Sequence, residues 1–274
     1  MHPVFFEFDT PGFLQGFLPE TISIYFYGFF IACGAILGTL YAAYESKKQF
    51  AVKMETIQTL VILIVLAAIV GGKVFMVFED PAKYLHDPAI LLRNFSNGFV
   101  FYGSLLFAIP LMLWFFKAHK LPTLAMLDIM AVSACIVHGF GRIGCFMAGC
   151  CYGTPHQGAL SVCFTDPRSA AEPLHTPLHP TQLYSAVAIF TILAIILFAK
   201  SRKRFDGQLF MLYLMLYAVA RTILELFRGD LERGYLIDGV LSNSQFISLL
   251  VFLAALSAYI LIATRQSKQS ARRK

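Results

Sequence analysis

Long apolar runs joined by short polar connectors dominate the chain. Seven of them reach, or nearly reach, the roughly 20 mostly apolar residues that a membrane-spanning helix requires. They cover roughly Thr21–Ala43, Ile57–Phe78, Phe99–Phe116, Leu124–Phe146, Thr181–Ala199, Gly207–Phe227 and Ser244–Ala263. The third is the shortest and contains Pro110, which predicts a kink or a tilt. No soluble domain, low-complexity tract or internal repeat interrupts the series. The expected fold is an all-α integral membrane bundle of about seven transmembrane helices, with residues 1–274 forming a single polytopic domain.

The connectors carry the orientation. Lys47, Lys48 and Lys53 follow the first run, and Lys117 and Lys120 follow the third. Lys200, Arg202, Lys203 and Arg204 follow the fifth, and Arg265, Lys268, Arg272, Arg273 and Lys274 close the chain. These 14 of the 22 Lys and Arg residues fall on one side. The positive-inside rule makes that side cytoplasmic. The N-terminus is then outside, residues 148–180 form an extracytoplasmic loop, and residues 264–274 form a basic cytoplasmic tail. Composition agrees: 58% of residues are hydrophobic and 14% charged, with mean hydropathy +0.68, against about 25% charged in soluble domains. The net charge of +6 therefore reflects topology, and no nucleic-acid partner is expected. The opening MHPVFFEFDTPGF lacks the basic start and cleavage site of a signal peptide.

Eight basic residues remain: Lys73, Lys83, Arg93, Arg142, Arg168, Arg221, Arg228 and Arg233. Of these, Lys73, Arg142, Arg221 and Arg228 lie in or at the ends of runs, toward the outer leaflet. Cations placed against the charge rule suit an anionic ligand, and a guanidinium fork matches a lipid phosphate. Arg142 stands in the glycine-dense stretch HGFGRIGCFMAGCCYG, His138 to Gly153. Arg221, Glu225 and Arg228 are spaced to share one helix face, as a phosphate clamp or as a self-neutralising ion network. His179-Pro180-Thr181-Gln182-Leu183-Tyr184 opens the fifth run, where a helix N-terminus favours anions. Tyr27, Gly71-Gly72-Lys73 and Tyr102-Gly103 are weak signals singly, but all fall in the outer half. Cys145, Cys150, Cys151 and Cys163 also lie near the outer face. A disulfide, a metal site completed by His138 or His156, and buried small apolar residues are three open readings.

Gly141-Arg142-Ile143-Gly144 with Phe146, Gly149 and Gly153 resembles the signature of the prolipoprotein diacylglyceryl transferase family. The His179–Tyr184 motif, the Arg221/Glu225/Arg228 set, Tyr27-Gly28 and Gly71-Gly72-Lys73 agree with it in order and spacing. The resemblance implies transfer of the diacylglyceryl group of phosphatidylglycerol to the thiol of a lipobox cysteine in a prolipoprotein, with release of glycerol phosphate. It implies a multi-pass protein of the bacterial inner membrane whose site faces the outer leaflet, with no metal and no cofactor. Arg142 and Arg221 would act on the headgroup, with Tyr102 a candidate base despite its ordinary pKa near 10. Tyr27, Lys73, Gly153, His179, Gln182, Tyr184, Glu225 and Arg228 would bind substrate. The sequence departs from the family pattern at Cys145, Ala148 and Cys150, where Asn, Asn and Glu are usual. It departs again at Tyr102, in place of His, and at Ser185, in place of Glu. Other readings are a phospholipid-dependent enzyme with a different acceptor, a cysteine-based redox or metal protein, and a transporter. The last is weakened because Glu225 is the only acidic residue well inside a run.

Overall fold

A backbone amide in a bilayer finds no water, so a spanning segment must satisfy its own hydrogen bonds. The apolar runs are accordingly helical. The computed structural model describes residues 2–11, 21–86, 100–229, 234–237 and 240–272; Arg93 and Arg233, singled out above, fall outside them. Its helices are α1 (Phe26–Phe50), α2 (Met54–Glu79), α3 (Pro81–His86), α4 (Phe101–Ala118), α5 (Thr123–Ala148), α6 (Thr181–Lys200), α7 (Gln208–Glu225) and α8 (Asn243–Arg272). Among the described residues, α1, α2, α5, α6, α7 and α8 are long and apolar enough to cross a membrane. The chain is a mostly helical, multi-pass membrane protein. The third predicted run is α4, with Pro110 inside it; the part Tyr102–Ala118 is a shorter apolar helix beside these six.

The first run starts later than the pattern suggests. Thr21–Tyr25 is a strand, β2, paired antiparallel with β1 (Val4–Asp9), with Phe8 opposite Ile22 and Phe6 opposite Ile24. Its sequence, TISIY, alternates with period two and is rich in β-branched residues, which favours a strand over a helix. Two smaller hairpins pair β3 (Val162–Cys163) with β4 (Pro177–Leu178) and β5 (Tyr235–Ile237) with β6 (Leu241–Ser242). The all-α expectation therefore holds for the spans and not for the segments outside them.

The chain divides into two compact units, Thr39–Leu127 and Met1–Gly38 with Asp128–Lys274; the division passes through α1 and α5. Inside Thr39–Leu127, α2 and α4 cross where Gly71 meets Gly103. A Cβ on Gly103 would lie 2.5 Å from the Gly71 carbonyl oxygen and 2.5 Å from Phe75 Cβ. Small residues at a helix crossing let backbones approach closely. Phe115 and Phe116 are fully buried in this unit, and the Ser46 hydroxyl donates to Met126 Sδ at 3.7 Å.

The other unit builds the site. The 149–180 segment between α5 and α6 has its own core, in which Phe164, Ala171 and Leu178 are packed with Phe146 and Tyr152. Arg168 in that segment pairs with Glu7 of β1 at 2.7 Å and with Asp166 at 3.4 Å. Backbone donation to Asp166 from Arg168 holds its carboxyl below the usual range. At the opposite end of α5, Asp128 is buried and receives hydrogen bonds from the Gly207 and Phe210 amides at 2.8 and 2.9 Å. The α7 amides that have no helical partner are thus capped by a side chain from another helix. Lys203 reaches Asp128 at 3.0 Å and Asp206 at 2.8 Å.

Candidate functional site

Arg142 lies one and a half turns before the end of α5, and its Nε–H donates to His138 Nε2 at 3.1 Å, one turn earlier on the same helix. That bond requires a neutral imidazole with its proton on Nδ1. Among the described residues no carboxylate pairs with Arg142, and its two terminal NH₂ groups have no partner. Arg221 is different: its Nη2 lies 2.9 Å from Glu225 Oε2 and donates to Ser244 Oγ at 3.0 Å. Glu225 is buried and Arg221 half-buried. Arg142 and Arg228 both lie within electrostatic reach of Arg221. Arg221, paired to Glu225, thus has two further guanidiniums within electrostatic reach.

Arg228 is not on the α7 face that its spacing suggests. The helix ends at Glu225, and the amides of Leu226, Phe227 and Arg228 bond three residues back, to Ile223, Leu224 and Glu225. The chain then runs as an extended bridge, with Arg228 paired to Gly153. A Cβ on Gly229 would lie 2.7 Å from the Gly153 carbonyl oxygen, so the two segments touch backbone to backbone. The Thr154 amide donates to the Phe227 carbonyl at 3.0 Å and the Gly229 amide to Tyr152 at 3.3 Å. On its other side Gly153 is held by the His179 carbonyl at 2.9 Å. Any Cβ there would meet Phe227 O at 2.5 Å and His179 Cβ at 2.6 Å. Gly153 therefore joins the Arg228 segment to the His179 motif.

His179 sits just before α6. Its Nδ1 is 3.1 Å from the Tyr184 hydroxyl, and its ring stacks on His156 at 3.9 Å and 12°. Burial, and next the charge of His156, hold His179 below the ordinary imidazole range. His156, His179, Tyr184, Leu224 and Phe227 line an open, largely apolar groove of about 620 Å³. Gln182 is fully buried; its Nε2 donates to the Cys150 carbonyl at 2.7 Å, and Thr181 Oγ1 donates to the Cys151 carbonyl at 2.7 Å. The Gln182 Oε1 acceptor has no donor among the described residues.

These two α6 side chains fix a sharp turn. Gly149 has φ +79° and Cys151 φ +58°. The second is a left-handed conformation that costs a non-glycine residue about 1–3 kcal/mol. The turn folds Cys150 and Cys151 back over Cys145, and the three Sγ atoms lie within 4.8 Å of one another. Hydrogen bonding from Cys145 draws the Cys151 thiol well below its usual range, whereas hydrogen bonding with Cys145 pushes Cys150 up. Cys163 is exposed, and all six cysteines are free. Tyr27, in the first turn of α1, is within electrostatic reach of Cys145 and Arg142. Its backbone packs against Gly144, where a Cβ would lie 3.1 Å from the Tyr27 carbonyl oxygen.

One unit thus brings together Arg142, Arg221, Arg228, Glu225, Tyr27, Gly153, His179, Gln182 and Tyr184. Lys73 on α2 and Tyr102 on α4 belong to the other unit, Thr39–Leu127. Sequence reasoning missed the roles of Thr181, Ser244 and His156. His138 could have been found from its four-residue spacing to Arg142; the other three depend on contacts that no local pattern encodes.

A model of the prolipoprotein diacylglyceryl transferase family matches residues 17–261. The phosphatidylglycerol–prolipoprotein diacylglyceryl transferase of Clostridium tetani is 35% identical over 238 residues, covering 87% of this chain and 93% of the relative. A second such transferase, from Clostridium perfringens, is 32% identical over 239 residues, covering 87% and 91%. That of Dehalococcoides mccartyi is 28% identical over 252 residues, covering 91% and 92%. Extended over nearly the whole chain and across the residues assembled above, these matches show that the chain belongs to the prolipoprotein diacylglyceryl transferase family.

Proposed function

We propose that the protein transfers the diacylglyceryl group of phosphatidylglycerol to the thiol of a lipobox cysteine in a prolipoprotein. The family and the names of its relatives support this reading. The observation that carries it is the open guanidinium fork of Arg142, set in a cluster of three arginines and one carboxylate at the end of a span. Unpaired charge near a membrane interior is costly and marks function, and a lipid phosphodiester supplies the complementary anion at that depth.

In the proposed reaction the acceptor thiol loses its proton and the thiolate attacks the glycerol carbon that carries the phosphate. A carbon–sulfur bond forms, the carbon–oxygen bond breaks, and glycerol phosphate leaves with the electron pair. The transfer is alkyl in type, so no oxyanion hole is required. Charge grows on the departing phosphate, where Arg142 stabilises it more strongly in the transition state than in the ground state. Arg221, aligned by Glu225 and Ser244, assists at the headgroup, and Arg228 is held toward it by the Gly153 bridge. Tyr27, His179, Gln182 and Tyr184 shape the pocket, and the apolar groove beside His179 suits an acyl chain or the hydrophobic lipobox peptide. The resemblance alone supports Tyr102 as a base and Lys73 as a substrate contact.

The distribution of Lys and Arg supports seven spans with the N-terminus outside, the C-terminus cytoplasmic, and the site facing the outer leaflet of the bacterial inner membrane. The test is complementation of a cell depleted of its own diacylglyceryl transferase. A model prolipoprotein should gain the mass of one diacylglyceryl group; an unmodified acceptor in cells that insert the protein normally would refute the reading.

A further inference from the structure

The function proposed above uses none of this chain's own cysteines, yet three converge beside Arg142. Cys145 is carried by the last turns of α5, and the left-handed backbone at Gly149 and Cys151 brings the next two thiols back over it. All three Sγ atoms fit within 4.8 Å. A zinc ion with three thiolates at about 2.3 Å holds its sulfurs roughly 3.8–4.0 Å apart, so the trio has nearly the dimensions of a preformed ligand set. The turn is also locked from outside, because Gln182 and Thr181 of α6 grip the Cys150 and Cys151 carbonyls at 2.7 Å each. The Gly149 turn leaves no room for a side chain, since a Cβ there would collide with Ser169 Oγ. Ligand-bearing backbone held this firmly needs little reorganisation on binding.

Charge points the same way. Three thiolates around a divalent ion leave a net charge of −1, and Arg142 and Arg228 both lie within electrostatic reach of Cys151. Arg142 stands three residues before Cys145, on the same helix face. Soft thiolates select d¹⁰ ions such as zinc over hard cations. A disulfide would need only two of the three sulfurs and leaves the convergence of the third unexplained.

We infer that Cys145, Cys150 and Cys151 form a three-thiolate site for a soft divalent metal ion of the zinc class, beside Arg142. This departs from the sequence-based expectation of no resident metal. It goes beyond the transferase reading and does not depend on it. Binding releases the thiol protons to solvent, and a tetrahedral ion would keep its fourth position open.

The test uses the purified full chain in detergent, reduced and stripped with a chelator, with Zn²⁺ and Cd²⁺ as probes. The inference expects one ion per chain, a sulfur-to-cadmium charge-transfer band, and at least tenfold weaker binding in each of Cys145→Ser, Cys150→Ser and Cys151→Ser. Cys33→Ser and Cys163→Ser should bind as wild type. Because the serine variants could unfold, the wild-type protein supplies a second readout. Zn²⁺ should protect the Cys145, Cys150 and Cys151 peptides, and not Cys163, from maleimide labelling followed by mass spectrometry. Stoichiometric binding that survives loss of all three thiols would overturn the inference. So would equal labelling with and without Zn²⁺, or a disulfide between two of the three in protein taken directly from the membrane.

Discussion

The two ends of α5 treat buried charge in opposite ways. At Asp128 a single carboxylate is saturated: two backbone amides and the Lys203 ammonium converge on its two oxygens. Fourteen residues on, about 21 Å along the axis, Arg142 makes one side-chain hydrogen bond, to a neutral histidine, and leaves its fork unpaired among the described residues. The Asp128 end is a closed account of donors and acceptors, as expected of a structural contact. The Arg142 end leaves donors that the proposed lipid phosphate would complete. In one helix, then, one buried charge is fully satisfied and the other keeps donors to spare, as the proposed role of Arg142 as a phosphate ligand requires.

The largest effect should come from breaking the saturated end. Asp128→Ala strands the Gly207 and Phe210 amides and removes the partner of Lys203. Losing one member of a buried, hydrogen-bonded charge pair costs about 3–5 kcal/mol. A large fall in the thermal unfolding midpoint is expected, with unchanged transfer per folded molecule. Lys203 reports on the same contact: burial alone would lower its pKa, but its hydrogen bonds to Asp206 and Asp128 outweigh this and raise it.

The incomplete end should respond in the reverse sense. Arg142→Ala is expected to slow transfer from labelled phosphatidylglycerol by about 30- to 1000-fold, equivalent to roughly 2–4 kcal/mol of transition-state stabilisation. Arg142→Lys should also lose most activity, since an ammonium supplies a point charge and not a fork. Arg142→Ala should not lower the unfolding midpoint, because removing an unsatisfied charge relieves the fold. Near wild-type turnover by Arg142→Ala would make Arg142 a structural brace and move the donor site elsewhere. Gly153→Ala probes what holds the second half of the site together. Its methyl would press on the Phe227 carbonyl and His179 Cβ, and overpacking of this kind costs about 1–3 kcal/mol. Stability and transfer should fall together, and a variant that lost neither would show that the Gly153 bridge is dispensable.

What could be read from sequence follows from range. The spans were legible because apolar length is a local property, and Arg221–Glu225 because a four-residue spacing is also local. Arg228 was misplaced because the helix stops one turn early, where Gly229 must meet Gly153, a residue more than 70 positions away in the chain. The Thr21–Tyr25 strand was absorbed into the first span because an apolar run conceals its alternation until its partner, Val4–Asp9, is considered. The cysteines were visible as residues and not as a cluster, since only the left-handed turns at Gly149 and Cys151 bring them together. Asp128 lies near the start of the fourth run with no local partner to signal its role; its capping of α7 is a contact across 79 residues.

The smallest effect tests whether the His156–His179 stack tunes the site. Burial, then the charge of His156, hold His179 below the ordinary imidazole range. An unfolded His179 takes up a proton near pH 6.5, while the folded one resists. The contribution to stability is therefore full above that pH and is lost as pH falls through the lower folded value. If neutral His179 must face the Tyr184 hydroxyl, the acid limb of kcat/KM, which reports groups of the free enzyme, lies below pH 6.5. His156→Phe keeps a flat ring against His179 and removes the competing charge. The acid limb should then move upward in pH, with little change in the plateau rate or in the unfolding midpoint at pH 8. An acid limb that stayed in place would assign the pH dependence to another group and reduce the stack to packing.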